Sequence, residues 1–151
     1  MKIRKATIKD EKQVVKLLNE YDKYEYSLDK RHKPDTIKEI KELFNKIIKS
    51  ERGIILVLEI NNNLEGIISG EWNFNLMGKG SQIHQLFISK KYRKDDYGKK
   101  LLKALENHFK KIGCKSIKSF VLIKNKKVLP FYKRLNYSFK EEGYIIRKEL
   151  K

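Results

Sequence analysis

The chain has 151 residues, a formal net charge of +17, 40% hydrophobic residues and a lone cysteine, and no Pro/Gly/Ser-rich linker divides it, which predicts one domain over residues 1–151. Its longest apolar run, Gly53 to Ile60, is too short to cross a bilayer and contains Glu59; with Met1-Lys2-Ile3-Arg4 leading into alternating residues, this predicts a cytoplasmic protein with no membrane role and no disulfide. Only six of the 36 basic residues are Arg and the lysines run from Lys2 to Lys151, so the charge describes a solvated surface and does not favour specific nucleic-acid recognition.

Residues Lys2 to Lys9 alternate Ile3, Lys5, Thr7 against Arg4, Ala6, Ile8, the pattern of a half-buried strand. Asp10 then suits the cap of a helix with Val14, Val15, Leu17, Leu18 and Tyr21 on one side. From Asp35 to Ser50, Ile37, Ile40, Leu43, Phe44, Ile47 and Ile48 recur at helical spacing. Gly53 to Ile60 and Leu64 to Trp72 read as strands of a hairpin turned at Asn61-Asn62-Asn63. Gln82 to Ile88 is a further strand. From Tyr97, Leu101, Leu102, Leu105, Phe109 and Ile112 form a helical stripe that stops at Gly113. Cys114, which follows the helix end at Gly113, reads as a structural thiol; Lys115 to Ile123 returns as a strand, Val128 to Leu135 is a short helix, and Tyr137 to Lys140 and Glu142 to Leu150 close the chain as a strand pair. The order β-α-α-β-β-β-α-β-α-β-β places the fold in the α+β class, with a mixed, mostly antiparallel sheet of about seven strands flanked by four helices.

The junction from Ile88 to Leu102 passes from a strand through a basic loop into a helix. A helix start offers unpaired backbone N–H groups and a positive dipole end, and Gly98 lets a ligand approach that backbone closely, so the segment suits a phosphate. Leu86-Phe87-Ile88 followed by Arg93-Lys94-Asp95-Asp96-Tyr97-Gly98 resembles the strand and the Arg/Gln-x-x-Gly-x-Gly/Ala loop of the GNAT superfamily, the general control-related N-acetyltransferases. Asn125 to Tyr137 is similar to that family's second signature, Asn-x-x-Ala-x-x-Phe-Tyr-x-Lys-x-Gly-Phe. Asp96, Val128 and Asn136 depart from the family's Gly, Ala and Gly; Asp and Asn tolerate positive φ, so Asp96 and Asn136 are expected to keep the backbone shape, with the Asp96 carboxylate facing outward or capping the helix.

The resemblance implies an acetyl-CoA-dependent N-acetyltransferase that moves an acetyl group directly to a primary amine of a small molecule, amino acid, peptide or protein, without a metal. Acetyl-CoA would lie where two neighbouring parallel strands splay, with Leu86, Phe87 and Ile88 along its pantetheine arm, Arg93, Lys94, Asp95, Asp96, Tyr97, Gly98 and Lys99 around its phosphates, and Asn125 capping the next helix. Tyr132 matches the tyrosine that gives a proton to the departing thiolate. Where the family commonly carries a Glu base the chain has His84, whose imidazole suits proton transfer near neutrality, with Glu71 on the preceding strand in reserve. The acceptor wall is expected between the first two helices, where Tyr21, Asp22, Tyr24, Glu25, Tyr26 and Asp29 offer acidic and aromatic groups to a cationic amine; Tyr24, Tyr26 and Gln85 are the candidate contacts. The family also admits a homodimer. The alternative reading is a non-catalytic module of the same fold whose basic surface binds RNA, DNA or the ribosome.

Overall fold

The computed structural model describes residues 1–31, 33–75, 78–93 and 95–139. The sheet has the strands β1 (Lys2–Lys5), β2 (Gly53–Ile60), β3 (Asn63–Asn75), β4 (Gly78–Ile88) and β5 (Ser116–Ser119), in that spatial order. The pairs from β1 to β4 are antiparallel, and β4 and β5 are parallel. Helices α1 (Glu11–Leu28) and α2 (Ile37–Lys49) join β1 to β2, α3 (Tyr97–Lys111) joins β4 to β5, and α4 (Leu129–Arg134) follows β5. The α+β architecture with a mixed sheet and four α-helices is as expected, with five strands among the described residues rather than about seven. Tyr137, Ser138 and Phe139 are not in a strand, and the remainder of the expected closing pair lies outside the described residues.

Period-two alternation in β2 explains how one sheet serves two cores. Ile55 and Val57 point to one face and pack with Val14, Val15, Leu18, Ile40 and Phe44 of α1 and α2. Ile54, Leu56 and Leu58 point to the other and meet Leu101, Leu102, Leu105 and Phe109 of α3. Because helices cover both faces, β2 reads as a continuous apolar run. None of the described helices is long and apolar enough to cross a membrane.

Boundaries differ from expectation where side chains redirect the backbone. The first strand ends at Lys5 rather than Lys9, since Asp10 turns back to accept from the Thr7 amide at 2.7 Å and its hydroxyl at 3.0 Å, closing a single 3-10 turn. Asp10 therefore does not cap α1 by its side chain; its carboxylate is held instead by the Arg4 guanidinium at 2.8 and 2.9 Å. Arg4 reaches Glu59 of β2 as well, at 2.6 Å, and so ties the turn to the sheet. Helix α2 starts two residues later than Asp35, because Thr36 and Glu39 form a reciprocal capping box. Gly113, with φ of +87°, ends the α3 segment as expected.

Gly70 in β3 is required by close approach: a Cβ there would stand 2.5 Å from the Gln82 carbonyl oxygen and 3.1 Å from the Phe109 ring. Gly70→Ala is expected to cost about 2 kcal/mol of unfolding free energy in urea titration, through overpacking against backbone that cannot yield. A second expectation concerns acid. The Arg4 hydrogen bonds lower the Asp10 pKa from 3.8 to about 2. A depressed carboxylate pKa stabilises the fold above the unfolded value, and that contribution is lost as pH falls from about 4 to about 2. Urea midpoints measured over this interval should fall, and Asp10→Asn should flatten the dependence by about 2 kcal/mol.

Candidate functional site

The site begins with a count of residues on two paired strands. In the β3–β4 ladder Gly70 faces Ile83 and Ser69 faces Gln85, which leaves His84 as an extra residue in a β-bulge. The Ser69 hydroxyl bonds the Gln85 side-chain oxygen and fixes the strand beyond the bulge. On the other side of β4, pairing with β5 runs from Gly80–Ser116 to Ile83–Ser119 and stops there. Phe120, Val121 and Leu122 leave the ladder, so the expected strand Lys115–Ile123 is shortened to Ser116–Ser119. Where the two parallel strands part, a cleft of about 210 Å³ opens.

His84 and Leu86 of β4 line one wall of the cleft, and Ser119 to Leu122 line the opposite one. Tyr132 and Phe131 of α4 also line it, as do Asn125, Lys127 and Val128 from the segment before that helix; Tyr21 and Glu25 of α1 line the remaining side. The bulge brings the His84 Nε2 to 3.3 Å from the Glu71 carboxylate on β3, with the imidazole partly exposed. Tyr132 is buried, and burial pushes its phenol above the ordinary value against the opposing effect of the Ser119 hydroxyl. Burial, followed by the neighbouring Glu25 carboxylate, likewise raises the Tyr21 phenol.

The phosphate-suited segment has the backbone shape expected of it. Asp96 lies in the left-handed region at φ 56° and ψ 8°, its carbonyl accepting from the Lys100 amide at 3.0 Å, while its exposed carboxylate makes no cap bond. The first-turn amides of α3 therefore have no side-chain cap from this residue. The nearest side chain to a Cβ built on Gly98 would be Phe131 at 3.6 Å, an ordinary contact, so packing does not demand the glycine. Without a side chain, Gly98 leaves the backbone there open to close approach. The residues present thus fit a phosphate-bearing cosubstrate at the helix start and its extended arm in the cleft.

The other predicted residues divide. Leu86 lines the cleft, whereas Phe87 and Ile88 are buried in opposite cores and offer only backbone. Arg93 donates from Nε to the Ile88 carbonyl at 2.9 Å and its guanidinium lies over Phe87 and Tyr24, so its charge is held at the strand end. Tyr97 packs edge-on to Tyr92; Asp95 and Lys99 are exposed. Lys94 lies outside the described residues. Asn125 does not cap α4: it sits in a kinked 3-10 segment at φ −95° and ψ 35°, and its side-chain oxygen accepts from the Tyr24 hydroxyl at 3.1 Å. Tyr24 thus joins α1 to the cleft wall, while Tyr26 lies under the Lys30 ammonium and does not line the cleft. Gln85 is absent from the lining too, bonded to Ser69. Asp29, buried, is held by Arg31 and by Lys124, and so is withdrawn from any acceptor wall. Ser119 carries no local signal that would nominate it, and Lys127 stands inside the second signature at a position the pattern leaves open. Asn136, at φ 64°, makes the positive-φ turn expected of it after α4. Cys114 is partly buried with its thiol pushed up by burial and its Sγ 3.6 Å from the Gly80 carbonyl, the setting of a structural thiol.

Comparison with known proteins agrees with this geometry. An uncharacterized N-acetyltransferase of Methanocaldococcus jannaschii is 27% identical over 101 residues, which span 65% of this chain and 45% of that protein. Among solved structures, aminoglycoside 6'-N-acetyltransferase from Acinetobacter haemolyticus superposes with a TM-score of 0.85 at 12% identity, covering 100% of both chains. A second aminoglycoside acetyltransferase, solved in complex with a bisubstrate analog of CoA, gives 0.80 at 14% identity over 99% of this chain and 98% of that one. A GNAT family acetyltransferase of Staphylococcus aureus gives 0.74 at 20% identity over 97% and 98% of the two chains. These likenesses show a shared fold. The model of the Acetyltransferase (GNAT) family matches residues 14–137, which include the bulge, the helix start and Tyr132, and the chain belongs to that family.

Proposed function

We propose that the chain is an acetyl-CoA-dependent N-acetyltransferase acting on a primary amine, with no covalent enzyme intermediate. The observation that carries this reading is the parting of β4 and β5 immediately beyond Ile83 and Ser119, with His84 and Tyr132 both lining the gap. Acetyl-CoA, when bound, supplies an acetyl group activated as a thioester. The α3 amides from Tyr97 to Lys99 would hold its phosphates, with Lys99 and Lys100 adding charge, and Leu86 would present backbone to the arm.

His84 takes a proton from the acceptor's ammonium, leaving the neutral amine whose lone pair attacks the thioester carbonyl. Glu71, 3.3 Å away, orients the ring and stabilises it when protonated. The new C–N bond forms as the C–S bond breaks. Tyr132 delivers its phenolic proton to the leaving sulfur and is restored by the proton shed from the acylated nitrogen. A phenol raised by burial stays protonated at neutral pH, which this role requires. The acceptor would enter past Tyr21 and Glu25 of α1, and homodimer formation is not needed for any step.

Calorimetry with acetyl-CoA, beside a salt titration with RNA, tests the reading: saturable acetyl-CoA binding is expected, and micromolar RNA binding with no acetyl-CoA binding would overturn it. Tyr132→Phe is expected to lower kcat by at least about tenfold with little change in acetyl-CoA affinity, and unchanged turnover would remove Tyr132 from the acid role. In His84→Ala the ascending limb of the kcat/KM pH profile near neutrality should vanish. Glu71→Gln should lower kcat, because the imidazole loses the partner that orients it; a pH profile in His84→Ala identical to the parent's would assign proton removal to water.

A further inference from the structure

Beyond Ile83 and Ser119 no ladder holds the chain after β5 against β4, so that side of the cleft is placed by other contacts. It runs through Asn125, which sits at non-helical φ −95° and ψ 35° among the exposed Lys124, Lys126 and Lys127. The Asn125 backbone N–H is satisfied locally, donating to the Leu122 carbonyl at 2.7 Å. Its side chain is held from outside the segment: Oδ1 accepts from the Tyr24 hydroxyl of α1 at 3.1 Å.

Tyr24 is itself fixed from two elements. The Arg93 guanidinium, just after β4, lies 5.6 Å from its ring centroid, and the Lys127 ammonium lies 5.1 Å from it. Arg93 is anchored in turn by the Ile88 carbonyl at 2.9 Å and by the Phe87 ring. These cation contacts need only the aromatic ring, whereas the bond to Asn125 needs the hydroxyl. One side chain thus joins both segments that resemble the family's signatures, and it does so without lining the cleft.

The chemical consequence lies in the Asn125 carboxamide, which has one acceptor end and one donor end. With Oδ1 engaged by Tyr24, the NH2 group is the end left to donate, and Asn125 lines the cleft together with Leu86. A donor there suits a carbonyl of an extended, amide-bearing arm. Without the tyrosine hydroxyl the carboxamide is free to turn over, and its oxygen would then meet that carbonyl oxygen.

Resting on the acetyl-transfer reading, we propose that Tyr24 is a positioning residue for the cosubstrate and not a contact for the acceptor amine. Its hydroxyl sets the Asn125 carboxamide so that the NH2 group receives a carbonyl of the acetyl-CoA arm.

The test is calorimetry with acetyl-CoA, beside thermal unfolding of the same proteins without it. Tyr24→Phe keeps the ring and its cation contacts, so its thermal midpoint should stay near the parent's while its Kd rises by about fivefold. Asn125→Asp still accepts from Tyr24 but has no donor, so it should keep the tie and yet lose affinity by at least as much. Tyr24→Phe added to Asn125→Ala should weaken binding no further, because the hydroxyl acts only through that carboxamide. An unchanged Kd in Tyr24→Phe, parent-like binding in Asn125→Asp, or additive losses in the double variant overturns the proposal and leaves acetyl transfer standing. A parent protein that does not bind acetyl-CoA overturns both.

Discussion

One extra residue in one strand shapes the cleft of this molecule. The β3–β4 ladder is long and twisted, and the insertion of His84 between the Gly70–Ile83 and Ser69–Gln85 pairs changes the direction of β4 at that point. β5 follows β4 only as far as Ile83. A strand pair that parts leaves backbone groups without ladder partners and a gap between two sheet halves, and both suit an extended ligand. The same bulge turns the His84 ring toward Glu71, so the opening and the proposed base arise from one distortion. Gly70 is part of the arrangement, since any larger residue there would collide with the Gln82 carbonyl and with Phe109.

Around this opening the charges are sorted. The anion-suited end is made from backbone, at the start of α3, and its nearest carboxylate, Asp96, faces solvent. On another side the cleft is lined by Tyr21 and Glu25 of α1. Two polar ties, Tyr24 to Asn125 and Asp29 to Lys124, fasten α1 to the segment that forms the far wall. The α1 side of the cleft is thereby tied to its far wall without a continuous strand joining them.

Much of this was legible in the sequence, and the failures have physical causes. Helical periodicity located α1, α2 and α3 because each buries a stripe, and β2 was plain because both of its faces are covered. Ends were misjudged where a side chain outcompetes propensity, as at Asp10, whose bond to Arg4 depends on a residue from another element. Resemblance nominated His84 and Tyr132, yet nothing local revealed the bulge, since register is a property of two strands and not of one. The meeting of His84 and Glu71 was invisible for the same reason. On α1, Tyr21 and Glu25 are four residues apart and share a face, whereas Tyr26 falls on another; the acidic stretch was legible but its orientation was not. The motif suggests a helix cap at Asn125, whereas the kink that turns it toward Tyr24 has no sequence signature.

Asp96 and Asn136 stand where the family's signatures have glycine, and both hold positive φ, at 56° and 64°. What descends through such a lineage is a pair of dihedral angles, and the letter that supplies them is free to drift among the few residues able to adopt them. A search keyed to the glycines would pass over this chain, while superposition at 12% identity still reaches a TM-score of 0.85. Divergent relatives of this kind are better sought by asking which positions can turn left-handed than by asking which are glycine.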